Sequence, residues 1–205
     1  QPCDRRRQED LSLLDPQESG HEGELVLAEL SQHLRTKQAK IIKKLGTLND
    51  PRVISLISIY QEGIPHEFSQ EALNEAEHVR TLPLEGREDL RSIPFVTIDG
   101  EDARDFDDAV WATHDPVKGW HLMVAIADVS HYVKPGSALD KEAYLRGNSI
   151  YFPDRVVPML PEALSNDLCS LRPKEDKACF AVHLWLDTKG RLKPYQFVRG
   201  ILQSV

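Results

Sequence analysis

Four aspartates, Asp99, Asp105, Asp107 and Asp108, crowd into the stretch from Thr97 to Trp111, and apolar residues bound that stretch on both sides. Ile93, Phe95, Val96 and Ile98 precede it, and Ala109, Val110 and Trp111 follow. Apolar flanks around a polar centre read as two short strands entering and leaving a loop. Carboxylates this close repel one another unless a cation neutralises them, so the pattern predicts a divalent metal site. All-oxygen ligands favour Mg²⁺ or Mn²⁺ over zinc. A calcium loop of the EF-hand type is excluded by position. Counted from Asp99, its sixth and twelfth places fall on Arg104 and Val110, where Gly and Glu are required; counted from Asp105, the twelfth place is Pro116. A solvated acidic loop without a ligand is the alternative. The placement of the aspartates between buried-looking strands disfavours it. Asp102, a further acid in the same stretch, reads as a surface turn residue.

The rest of the chain divides by pattern. Residues 1–20 are polar, lack periodicity and predict a mobile segment. Gly23 to Leu30 and Lys40 to Leu45 alternate as strands. Arg35, Lys37, Lys40, Lys43 and Lys44 form the one clear basic cluster, which taken alone reads as a solvated strand or hairpin face ahead of a ligand site. Asp50-Pro51 opens a helix through Gln61, although the β-branched content of that segment leaves a strand open. Ser69 caps a second helix from Gln70 to Arg80. Residues 49–88 read as a helical connector and linker, with no chemistry in them. From residue 89 onward the pattern is one of short strands and turns: Phe95 to Ile98, Ala109 to Thr113, and Trp120 to Val129. Asp115 to Gly119 makes the latter two a hairpin. Ser137, with Asp140 three residues on, opens a helix that Gly147 closes. Lys177 to Leu186 and Leu192 to Ile201 flank a second hairpin at Asp187-Thr188-Lys189-Gly190.

Within this region, the run from Ile93 to Val110 resembles the opening signature of the RNB catalytic domain of the RNase R and RNase II family. Val124 to Val133, Asn148 to Pro153, Val156 to Pro161 and Leu164-Ser165-Asn166-Asp167-Leu168-Cys169-Ser170-Leu171 resemble the segments that follow it, in order. The Gly-Glu-Asp-Ala-Arg-Asp-Phe-Asp-Asp wording is the one found in RNase R. Long motifs in register are a specific signal.

The resemblance implies an α+β chain: a partial cold-shock or OB-like β region over 21–48, the connector, and the N-terminal part of the mixed α/β RNB domain over 89–205. It implies 3′-to-5′ hydrolysis of single-stranded RNA to 5′-nucleotides, with two Mg²⁺ ions (or Mn²⁺) serving the attacking and leaving oxygens. Asp99, Asp105 and Asp108 match metal-holding positions, and Asp107 matches the aspartate nearest the catalytic step. Tyr151 matches a tyrosine that stacks on a base near the 3′ end; a packed strand aromatic is the other reading. An arginine and a glutamate that complete the family's site, and an S1 RNA-binding domain, correspond to positions beyond residue 205. The chain therefore reads as a fragment, expected to have little nuclease activity of its own. His121, His131 and His183 read as structural. Ser165 and Asn166 are open to a channel role or to a turn role.

Composition limits these readings without deciding them. At 205 residues, 40% hydrophobic and 28% charged, the chain can bury a core. Its formal net charge of −8 argues against a nucleic-acid coat protein. A nuclease stays open, because an acidic metal site needs only local basic surface. Cys3, Cys169 and Cys179 are odd in number and lack metal-ligand spacing, which predicts free thiols in a reducing compartment, the cytoplasm. No membrane segment and no obligate protein partner are expected. Two alternatives carry over: a non-catalytic RNB-fold RNA-binding protein, and a generic Mg²⁺-dependent phosphohydrolase of small nucleotides.

Overall fold

A computed structural model describes residues 2–3, 10–14, 20–31, 38–79, 84–101 and 103–205. Arg35 and Lys37 of the basic cluster, Arg80 and Asp102 lie outside the described residues. The chain forms two units, one of Gln1–Glu67 with Asn148–Val157, the other of Phe68–Gly147 with Pro158–Val205.

In the first unit, β1 (Ser12–Leu13), β2 (Glu24–Leu30) and β3 (Gln38–Thr47) make a three-stranded sheet in the order β1-β3-β2. The strand at Ser12–Leu13 lies in the segment without periodicity, and it pairs parallel with Gln38 and Ala39. Lys43 and Lys44 are paired with Glu67 at 3.0 Å and with Glu24 at 3.2 Å. Exposed pairs of this kind, screened by water, hold little stability. Helix α1 (Pro51–Gln61) begins as its sequence demands: the Asp50 side chain accepts from the Arg52 amide and Pro51 occupies the first turn. The strand reading of this segment is thereby set aside. Val53 and Ile59 are buried, so two of its β-branched residues serve the helix's packed face, while Ile54 is exposed.

The second unit is built on a five-stranded sheet, order β4-β10-β9-β6-β5. Its strands are β4 (Glu88–Asp89), β5 (Asp108–Asp115), β6 (Gly119–Ala127), β9 (Lys177–Leu186) and β10 (Leu192–Leu202). All neighbours run antiparallel except β4 and β10. Both predicted hairpins form, β5 with β6 and β9 with β10. Gly119, at φ +95, is required at its position, since a Cβ there would run into the Leu186 carbonyl. One sheet face, with Ala109, Met123, Ala125, Cys179, Ala181 and Leu202, is buried with Phe95, Leu139, Leu164 and Leu171 in a single core. Helices α2 (Gln70–His78) and α4 (Ala138–Arg146) are capped by Ser69 and Ser137. Glu75 on α2 accepts from the Leu139 amide of α4 at 3.1 Å, which ties the two together.

Two predicted strands differ. Phe95 to Ile98 contributes only isolated bridges at Phe95 and Val96, and Ile98 is exposed. The chain leaves the sheet there to carry Asp99 into the loop. The strand predicted through Val129 stops at Ala127, and Val129–Tyr132 is a short helix, α3. The cause is Asp128. Its carboxylate is buried, receives Arg87 at 2.7 Å and accepts from the Ser130 hydroxyl at 2.6 Å. That side-chain bond two residues on favours a turn over continued extension. No helix among the described residues is long and apolar enough to cross a membrane.

Candidate active site

The acidic loop leaves the core at Phe95, which is fully buried, and re-enters it at Ala109. Reciprocal bonds at 2.9 Å between Val96 and Val110 close its neck. Inside the neck the Ala103 amide donates to the Gly100 carbonyl at 3.0 Å, making a turn. From Arg104 onward, each successive peptide is held from elsewhere. The Ser170 hydroxyl donates to the Arg104 carbonyl at 2.8 Å and accepts from the Phe106 amide at 3.1 Å. The Leu171 amide donates to the Phe106 carbonyl, and the Ala127 amide to the Asp107 carbonyl, both at 2.9 Å. Phe106 packs on the core.

The loop displays its carboxylates from this frame. Asp99, Asp107 and Asp108 are exposed and Asp105 is partly buried. The Asp107 carboxyl is nevertheless the perturbed one. Partial withdrawal from water raises its pKa, and the charges of Asp105, Asp108 and Asp99 push it further up. The four thus share one electrostatic neighbourhood. Asp107 also acts inward on Cys169, whose thiol is pushed up to about 12, chiefly by burial and then by that aspartate. Cys169 and Cys179 are buried and free, and so raised they are unreactive.

The donor chemistry fits a hard divalent cation, being all carboxylate, mutually repelling and partly desolvated. As the side chains stand, however, no three His, Cys, Asp or Glu residues among those described converge where they could hold an ion together.

Tyr151 belongs to the first unit, whereas the aspartates belong to the second. It lies on β7 (Ile150–Tyr151), paired with β8 (Val156–Val157), and is 68% exposed. The hairpin is moored to α1. The Ser55 hydroxyl donates to Asp154, and the Arg155 guanidinium donates to the Arg52 carbonyl at 2.8 Å. His121 and His183 bond to each other at 3.0 Å and stack with Trp185, as structural residues do.

Sequence reasoning missed Ser170. It singled out Ser165 and Asn166, which sit in a π-helical turn over Leu164–Leu168. A π turn is itself a common mark of functional segments, but the residue that reaches the loop comes just after it. Its partners lie 64 and 66 residues away in the chain, beyond any local signal.

An RNB domain family model matches residues 87–205, and a cold shock domain model matches 1–69. The chain belongs to the RNB family. Ribonuclease R of Vibrio parahaemolyticus is 43% identical over 99% of the chain, and that of Escherichia coli K12 is 45% identical over 89%. The chain spans about a quarter of the length of these curated relatives, 25% and 23% respectively. Among solved structures, Mycoplasma genitalium RNase R in complex with ribose methylated single-stranded RNA superposes with a TM-score of 0.78 at 29% identity. That match covers 95% of this chain and 32% of the other. The same protein in complex with double-stranded RNA gives 0.79. The RNB segment begins beside β4, and the acidic loop lies within it. The predicted fold class, a cold-shock-like region joined to the start of a mixed α/β RNB domain, agrees with these matches.

Proposed function

We propose that this chain supplies the acidic half of the active site of a 3′-to-5′ exoribonuclease that hydrolyses single-stranded RNA processively to 5′-nucleotides. The observation that carries the reading is the loop itself: four aspartates within ten residues, on a backbone whose peptides Ser170, Leu171 and Ala127 hold, with charges close enough to raise the Asp107 pKa. Such a group is poorly placed as a free anion and well placed as a cation ligand. Asp99, Asp105, Asp107 and Asp108 would hold two Mg²⁺ ions, with Mn²⁺ as a substitute. Bound there, the ions would lower the pKa of an attacking water and stabilise the leaving oxygen. Clamped at its peptides from Arg104 to Asp107, the loop holds the backbone of Asp105 and Asp107 in place before RNA arrives. Tyr151 offers a ring on which any base can stack, so binding needs no sequence.

A second reading keeps the RNA and drops the turnover. The carboxylates as placed do not converge in threes, which a non-catalytic RNB-fold RNA-binding protein would tolerate. One experiment separates the two. This chain replaces the matching quarter of Escherichia coli ribonuclease R, and the chimera is given 5′-labelled single-stranded RNA with Mg²⁺, with EDTA, and as Asp107→Asn. Exonucleolysis predicts laddering to a few nucleotides that EDTA abolishes and that the substitution slows by at least about 100-fold. Undiminished digestion by the variant would remove the mechanism. Binding without shortening would favour the second reading.

A further inference from the structure

Three of the loop's four aspartates are exposed and Asp105 is partly buried, yet the backbone that aims them is fastened from the core side by one side chain. Ser170 is fully buried. Its single hydroxyl proton goes to the Arg104 carbonyl, which fixes the rotor and turns a lone pair toward the Phe106 amide. The two peptides so held are those on either side of Asp105. Leu171 and Ala127 then hold the carbonyls of Phe106 and Asp107. The clamp is itself fixed, because the buried Ser204 hydroxyl donates to the Leu171 carbonyl at 2.8 Å. Replacing the Ser170 hydroxyl would take that partner from two backbone groups around Asp105, both in part-buried bonds.

We propose that Ser170 is a positioning residue for the acidic loop: by bracketing Asp105 it sets the direction in which Asp105 and Asp107 leave the backbone, and with it the loop's affinity for a divalent ion. This rests on the metal-binding reading of the loop. Hydrogen-bond partners of ligating groups act in this way elsewhere, and their loss typically weakens metal binding about 10–100-fold.

The test uses the 205-residue chain, with Mn²⁺ binding followed by calorimetry and the free ion counted by electron paramagnetic resonance. Amide hydrogen exchange at Phe106 is measured in the absence of metal, and circular dichroism monitors the fold. Ser170→Ala is expected to keep its spectrum, to bind Mn²⁺ about 10–100-fold more weakly, and to exchange the Phe106 amide faster. Ser170→Cys, nearly isosteric with a weak donor and acceptor, should fall between the two. Wild-type Mn²⁺ affinity in folded Ser170→Ala would overturn the proposal. Should that variant not fold, wild-type affinity and exchange in Ser170→Cys would overturn it instead. An unaltered chain that takes up no Mn²⁺ would overturn the metal reading itself. Phe106 exchange would then still decide the clamp, an unchanged rate in the variants sinking it too.

Discussion

At Asp107, partial burial and the charges of Asp105, Asp108 and Asp99 act in the same direction, and both favour the protonated form. The native carboxyl therefore titrates above its value in the unfolded chain. Its strain is absent below the ordinary carboxylate range and grows as pH rises through the native value. Asp107→Asn is accordingly expected to stabilise the metal-free chain at pH 7, with the gain vanishing near pH 3, read from urea unfolding midpoints. Equal midpoints at pH 7 would mean that the carboxylates do not act on one another. Mn²⁺ at about a hundred times its dissociation constant should add about 2.7 kcal/mol to the parent, and little to the variant. The crowding of these four residues was plain in the sequence, because charge spacing is a local property. Ser170 was not, since in composition it resembles Ser165 in the same stretch and only the fold brings it under Phe106.

Helices and hairpins were the most legible elements, because their caps and turns are written within a few residues: Asp50-Pro51, Ser69, Ser137 with Gly147, and Asp115 to Gly119. The end of β6 was not legible, because it depends on Arg87 arriving 41 residues from Asp128 to bury a charge. That pair makes its own prediction. Burial raises the Asp128 pKa, but the Ser130 hydroxyl and Arg87 outweigh it and hold the carboxylate below its usual range. Its stabilisation is present above the ordinary carboxylate pKa and is lost as pH falls through the native value. Arg87→Ala should cost about 3–5 kcal/mol at pH 7, measured by thermal or urea unfolding, with a smaller difference in acid. A loss under about 1 kcal/mol would show that water reaches the site. On the β7–β8 hairpin, Tyr151→Ala should weaken single-stranded RNA binding by about 1–3 kcal/mol and lengthen the end product in the ribonuclease R chimera. An unaltered product ladder would leave Tyr151 as a surface ring alone.

At the scale of the whole molecule, the second unit's sheet has one buried face and one that is apolar but uncovered. Phe180 and Phe197 stack at 5.5 Å on that outer face, at 43% and 57% exposure, beside Tyr195 at 60%. Contiguous exposed aromatics of this kind promote association. The chain should show concentration-dependent sedimentation that Phe197→Glu suppresses, and a monomer at all concentrations would contradict this. Neither the face nor the division into units could be read from periodicity, which reports what alternates and not what ends up covered. The hairpin at Asn148–Val157 has a consequence of its own. It returns to the first unit after the chain has already entered the second, so the polypeptide passes between them three times. A single cleavage after Glu67 therefore cannot release the first unit whole: residues 1–67 would leave behind the strand pair that bonds Ser55 and the Arg52 carbonyl. That excised piece should unfold more easily than the same residues in the uncut chain, by about 2–4 kcal/mol, and a synthetic 148–157 peptide should restore part of the loss. Keeping the first unit whole therefore means keeping residues 68–147, which belong to the second.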